Sequence, residues 1–140
     1  MKAISLLQPC ASLVIIGAKK YETRSWNTFH RGRILIHASA KKDPIGMNLA
    51  LVPPFDKYIK GIQGFYRLPF GAIIGECMIE STVRKEDIRG KLSVEEISFG
   101  DYSTGRMAWR LTNPISYRST ILYKGSLSIW DFPDELLNIK

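Results

Sequence analysis

The chain gathers its chemistry into ten residues, Gly17-Ala18-Lys19-Lys20-Tyr21-Glu22-Thr23-Arg24-Ser25-Trp26, in which three cations, one carboxylate and two aromatic rings follow an apolar run. In an extended segment alternate side chains share a face, so Glu22 and Arg24 point the same way with Lys20 beside them, while Tyr21 and Thr23 face opposite. Lys19, at the turn before, still reaches Glu22. A carboxylate between cations can hold an arginine fork and leave its other donors aimed at a phosphate or a base edge, a task for which planar Arg is better suited than Lys. The same Lys19, Glu22 and Arg24 also suit an ion pair that braces the fold.

The charge around this stretch is lopsided. Residues 1–42 hold eight Lys and Arg against the single acid Glu22, whereas residues 43–140 hold twelve of each sign, so the formal +7 arises entirely in the first third. A pI near 9.5 with its excess confined to one segment points to a polyanion, nucleic acid first, though a solvated basic face has the same composition. Trp26, Phe29, His30 and Arg31 form a mixed aromatic and basic loop, the composition that stacks unpaired bases while cations follow the backbone. The candidate nucleic-acid-binding residues are thus Lys19, Lys20, Glu22, Arg24, Trp26, Arg31 and Arg33, with Lys41 and Lys42 able to extend the surface. A tryptophan such as Trp26 is more often a rim or core residue than a stacking one.

Other chemistries have less support. Cys10 and Cys77 stand apart without metal-ligand spacing, and His37 lies in an apolar strand, the setting of a hydrogen-bonded interior histidine. We expect no metal and no cofactor. The start, Met1-Lys2-Ala3-Ile4, lacks a leader pattern, and the apolar run from Leu13 is far shorter than the ~20 residues of a membrane span. The sequence predicts a soluble, intracellular, cytoplasmic protein with no membrane partner.

The 140 residues read as one domain, 1–140, large enough to bury roughly two thirds of its unfolded surface. Lys2 to Leu7 is a predicted strand, and Pro9 opens a short helix that Gly17 closes, with Lys19 and Lys20 near the negative end of its dipole. Tyr21 to Trp26 is extended. Arg33 to Ala38 is too continuously apolar for a half-wet sheet and is predicted to be central. Residues 43–62 suggest two short helices split by Pro53-Pro54. Gly71 to Val83, Arg106 to Thr112 and Gly125 to Phe132 are further strands, Asp134 to Ile139 is a terminal helical turn, and Trp109 and Trp130 are predicted core. Strands scattered among short helices without regular alternation predict an α+β domain built on a small, mostly antiparallel β-barrel.

The runs Ser5-Leu6-Leu7-Gln8-Pro9-Cys10-Ala11-Ser12-Leu13, Gly17-x-Lys19-x-x-Glu22-x-Arg24-Ser25-Trp26 and Arg31-Gly32-x-Ile34-Leu35-Ile36-His37-Ala38 resemble the ASCH family, named for homology to activating signal cointegrator proteins. Trp109, Leu111, Asn113-Pro114, Lys124-Gly125 and Trp130 resemble its closing strands, and residues 43–68 and 84–104 carry least of the likeness. The resemblance implies a PUA-like β-barrel with short flanking helices, related to modules that bind RNA. It implies a partner that is RNA, another single-stranded nucleic acid or a nucleotide, with a protein partner also open.

Two departures from the family pattern matter. Cys10 stands where the family usually carries tryptophan, a position that either stacks a base or packs the helix on the barrel. The family also includes amidohydrolases of acylated cytidine, which use a lysine, a threonine three residues on and a later glutamate, and a ribonuclease activity has been associated with it. Here Lys19 matches the lysine, but Glu22 occupies the threonine's place and Thr23 is one position off; Glu76 is a loose match for the later acid. The resemblance therefore leaves an enzyme reading open, with Lys19 and Glu22 as its catalytic residues, beside the favoured binding module.

Overall fold

The computed structural model describes residues 1–61, 68–103 and 105–139. Six strands form one curled sheet: β1 (Lys2–Leu6), β2 (Tyr21–Arg24), β3 (Gly32–Ala38), β4 (Ala72–Arg84), β5 (Met107–Leu122) and β6 (Ile129–Asp131), in spatial order β2-β5-β4-β3-β1-β6. Among the described residues only β1 and β3 pair in parallel, and every other pairing is antiparallel. The sheet is a half-barrel of the PUA-like kind, with β3 interior as its apolar run predicts.

Helix α1 (Cys10–Ile15) covers one face. Its buried Ala11, Val14 and Ile15 pack on Ile34, Ile36, Cys77, Ile79, Trp109 and Leu111, each large aliphatic side chain contributing about 1.5–3 kcal/mol. The opposite face carries Leu35, Ile73, Tyr117, Ile121, Trp130 and Phe132, so both Trp109 and Trp130 are core residues as expected. Gly17 closes α1 at φ +83°, and the amides of Ala18 and Lys19 both donate to Leu13 O at 3.0 Å. That closure throws the chain directly into the edge strand β2.

The β4–β5 ladder shifts register at three points, and one of them has a clear local cause. Between the pairs Glu76↔Ile115 and Met78↔Thr112, β5 spends one residue more than β4, and that bulge contains Asn113 at φ 51° followed by Pro114. Asn tolerates the left-handed region and proline fits where a ladder donor is missing. The strand predicted to stop at Thr112 consequently continues to Leu122, bent by the bulge instead of ended by it. The later predicted strand shrinks to β6, because 123–128 form a loop. Opposite this bend, a β-carbon on Gly75 would lie 2.3 Å from Ile115 O, so only glycine lets β4 and β5 approach there.

Helices α2 (Pro44–Leu49) and α3 (Phe55–Gly61) flank Pro53-Pro54 as expected; position 62 of that prediction, and 62–67 of the insert, lie outside the described residues. α4 (Lys85–Ile88) and α5 (Val94–Ser98) follow β4. Ser93 caps α5 by accepting from Glu96 N at 3.1 Å. A 3₁₀ turn, Asp134–Ile139, ends the described chain. Among the described residues no helix is long and apolar enough to cross a membrane.

Candidate nucleic-acid interface

The C-terminal end of β1, the first residue of α1, the strand β2 and the segment after α5 enclose a cleft of about 490 Å³. Lys19, Glu22 and Arg24 all line it. The Lys19 side chain is almost fully buried, 1 % exposed, with its ammonium 3.8 Å from Glu22 Oε1 and donating to the Tyr21 carbonyl. Arg24 Nε donates to Glu22 Oε2 at 2.9 Å and Arg24 Nη2 to Ser5 O at 3.2 Å. The arginine thereby ties the edge strand to β1 across the mouth.

Residues that the sequence reading did not select complete this cleft. Asp101 and Arg106 face it, with Arg106 Nη2 donating to Thr23 O at 2.9 Å and Arg106 Nε 3.7 Å from Asp101 Oδ2. Hydrogen bonding, led by the Ser103 amide at 3.0 Å, holds the Asp101 carboxyl below its ordinary range. Leu7, Leu49, Phe55 and Phe99 supply apolar wall. Asp101, Phe99, Phe55 and Leu49 come from the two inserts least like the family pattern. Their only sequence signal was an apolar residue or an acid in a variable stretch.

Thr23 corrects the simple alternation of faces. The segment Phe99-Gly100-Asp101 folds over the outer edge of β2, so Thr23 Oγ1 accepts from Asp101 N at 3.2 Å and Thr23 also borders the cleft. A β-carbon on Gly100 would sit 3.5 Å from Thr23 Oγ1 and 3.6 Å from Lys19 Nζ, placing the hydroxyl and the ammonium around one point. Lys20 differs in the other direction. It precedes the strand, so alternation does not govern it, and it borders a smaller pocket with Gly17, Arg110, Asn113 and Pro114.

Trp26, Arg31 and Arg33 do not join the cleft. Trp26 packs edge-to-face on Trp109 with ring centroids 4.9 Å apart, which assigns it to the core rim. Arg31 donates to Thr28 O, His30 O and Thr82 Oγ1, bracing its own loop against β4. Arg33 makes a two-pronged contact with Glu76, 2.6 and 2.8 Å, and Tyr117 OH donates to the same carboxylate. Arg33 and Glu76 share the sheet face of Leu35 and Tyr117, turned from α1. Glu76 therefore does not face Lys19. In the aromatic loop, Phe29 is 98 % exposed.

His37 is a satisfied interior histidine. Its Nε2 lies 2.7 Å from Tyr123 O, which can only accept, so Nε2 carries the proton and Nδ1 accepts from Ser5 Oγ at 3.0 Å. Trp130 Nε1 donates to the same Ser5 oxygen at 3.2 Å. Burial pushes the imidazole below its usual pKa despite the Tyr123 bond. Cys10 sits on the cleft wall with Sγ 3.8 Å from Phe99 O, and burial pushes its thiol up against the lowering pull of Lys19. Among the described residues no three His, Cys, Asp or Glu side chains converge on a metal position.

The ASCH domain model matches residues 4–121. Activating signal cointegrator 1 of Homo sapiens is 42 % identical over 65 residues, and that of Mus musculus 38 % over 65 residues. Each match covers 46 % of this chain and 9 % of the relative, so the chain corresponds to a small part of those proteins. The solved ASCH of Zymomonas mobilis superposes with TM-score 0.59 at 18 % identity, covering 98 % of this chain and 90 % of that one. A single-residue variant of it gives 0.60 at 17 % identity, covering 99 % and 94 %. At these identities the likeness is one of fold.

Proposed function

The chain belongs to the ASCH domain family, and we propose that it is a binding module that holds RNA, another single strand or a nucleotide in the cleft around Lys19, Glu22 and Arg24. Membership supports this at family level, since the PUA-like fold is related to RNA-binding modules. The observation that carries it here is the Glu22–Arg24 clamp. Glu22 and Ser5 O engage Nε and Nη2 of Arg24, and among the described residues Nη1 makes no hydrogen bond. Such a fork is oriented before any ligand arrives and keeps free donors for a phosphate or base edge. Leu7, 42 % exposed, gives the cleft an apolar surface, while Phe55 and Phe99 are buried behind it at 3 % each.

Titrating the labelled protein with a single-stranded ribo-oligonucleotide tests this. Amide shifts should move at Lys19 to Arg24 and at Phe99 to Asp101. Shifts confined to the Phe29–Arg33 loop would place binding elsewhere and refute the cleft.

One observation supports a second reading, a hydrolase of an acylated nucleoside or of RNA. Lys19 Nζ and Thr23 Oγ1 surround one point above Gly100, and Glu22 Oε1 is 3.8 Å from the same ammonium. Lysine beside a hydroxyl or carboxylate is an arrangement for nucleophilic attack. Incubation of acylated cytidines with wild type and with Lys19→Ala checks it; equal rates would remove this reading.

A further inference from the structure

Across Arg24 from the cleft lies a second concavity of about 460 Å³, lined by Ser5, Arg24, His37, Ser39, Lys124, Ser126 and Ser128, among others. Ser5 and Arg24 line both spaces, so they are neighbouring compartments of one groove. Their electrostatics differ. In the first, Lys19, Arg24 and Arg106 are accompanied by two carboxylates, Glu22 and Asp101, with apolar walls. In the second, Arg24 and Lys124 are accompanied by serine hydroxyls, and among the described residues no carboxylate lines the space.

The charge-balanced compartment has the donors, acceptors and apolar lining that a heterocyclic base needs. The all-cationic one has what an anion needs, two positive groups and hydroxyl donors with no repelling acid. The Ser5 hydroxyl is committed to His37, and His37 is neutral in the tautomer fixed by Tyr123, which leaves Arg24, Lys124, Ser39, Ser126 and Ser128 to meet the anion. The loop that carries Lys124 is held in place by a close approach. A β-carbon on Gly125 would fall 2.5 Å from Ser5 Oγ and 2.7 Å from His37 Nδ1, so glycine lets the backbone lie directly on the Ser5–His37 pair.

We propose that the second compartment is a phosphate subsite, so that one nucleotide lies across Arg24 with its base beside Lys19 and Glu22 and its phosphate between Arg24 and Lys124. This rests on the binding reading above and adds to it the orientation of the ligand and the role of the loop from Lys124 to Ser128.

The test is affinity of the full chain, by NMR titration, for the four ribonucleosides, their 5′- and 3′-monophosphates, and inorganic phosphate alone. A monophosphate should bind about tenfold tighter than its nucleoside, an advantage of the size expected from a charge-assisted hydrogen bond. Lys124→Ala, at an exposed position, should cut that advantage to the share that Arg24 retains and leave nucleoside affinity unchanged, and Ser126→Ala with Ser128→Ala should also reduce it. Phosphate alone should shift the amides of Gly125 to Ser128 in wild type, and less at the same concentration in Lys124→Ala. An advantage undiminished in Lys124→Ala, or no advantage in wild type, would overturn the subsite. If a single-stranded oligonucleotide still binds through Lys19 and Arg24 in that case, the binding reading stands without it; if neither nucleosides nor the oligonucleotide bind, both fall.

Discussion

Arg24 grips Glu22 from two positions along the same edge strand, Nε to Oε2 at 2.9 Å, while Lys19 approaches the other oxygen to 3.8 Å. One carboxylate thus holds two cations, and it is the carboxylate that makes a nearly buried ammonium tolerable. Glu22 is itself 13 % exposed, so little solvent screens the arrangement.

Removing the carboxylate alone should be costly. Glu22→Ala leaves Lys19 with the Tyr21 carbonyl as its remaining partner within the motif, and breaking a buried pair in this way costs about 3–5 kcal/mol. Replacing Lys19 as well, Lys19→Met with Glu22→Leu, should recover part of that loss, the remainder reflecting Arg24, which still loses its acceptor. Urea unfolding of the single and double variants measures it.

Glu96 should give an unusual pH signature. Burial raises its carboxyl pKa against lowering bonds from the backbone of Lys20 and pulls from Lys19. Among the described residues its Oε2 has no hydrogen-bond partner. Because the folded pKa lies above the unfolded one, the folded state holds the extra proton between them. This contribution to stability is therefore present at low pH and declines as pH rises from about 4.5 through the folded value. His37, shifted the opposite way, adds stability as pH rises towards 6.5. Comparing Glu96→Gln with wild type by urea unfolding separates the two: the substitution should destabilise less at pH 7 than at pH 5.

Neither thiol should react readily in the native state. Burial raises Cys10 and pushes Cys77 up to about 12, so at pH 8 the thiolate fraction at both is small. Iodoacetamide labelling followed by mass spectrometry should be slow for both until the protein is unfolded. Rapid native labelling of Cys10 would show that its sulfur is solvated in the cleft.

Trp26 should behave as a packing residue. Its edge-to-face contact with Trp109 predicts that Trp26→Ala lowers stability by about 2–4 kcal/mol, less than the loss of a fully buried ring. Oligonucleotide affinity, measured where the variant remains folded, should change little.

The parts of this molecule that were legible in the sequence are those governed by local rules. Gly17 announced the helix end, the Arg33 to Ala38 run announced an interior strand, and Pro53-Pro54 announced the break between α2 and α3. The triad of Lys19, Glu22 and Arg24 followed from spacing in an extended strand. What failed to follow depends on long-range geometry. Asn113-Pro114 looked like a strand end because its left-handed residue and missing donor are absorbed by a bulge. Thr23 looked outward because nothing local reveals that Gly100 and Asp101 wrap the edge strand. Arg31 and Arg33 counted as free cations until Thr82 and Glu76, some 40 to 50 positions away, turned out to hold them. Charge counting sees the residue but not its partner.

The salt dependence of single-stranded RNA binding tests the central claim most directly. Fluorescence anisotropy at several salt concentrations should give a linear log–log plot with a slope of about −0.7 for each phosphate neutralised. Arg24→Ala should weaken binding and flatten the slope by roughly one such contact. Unchanged affinity and slope in Arg24→Ala would contradict the account.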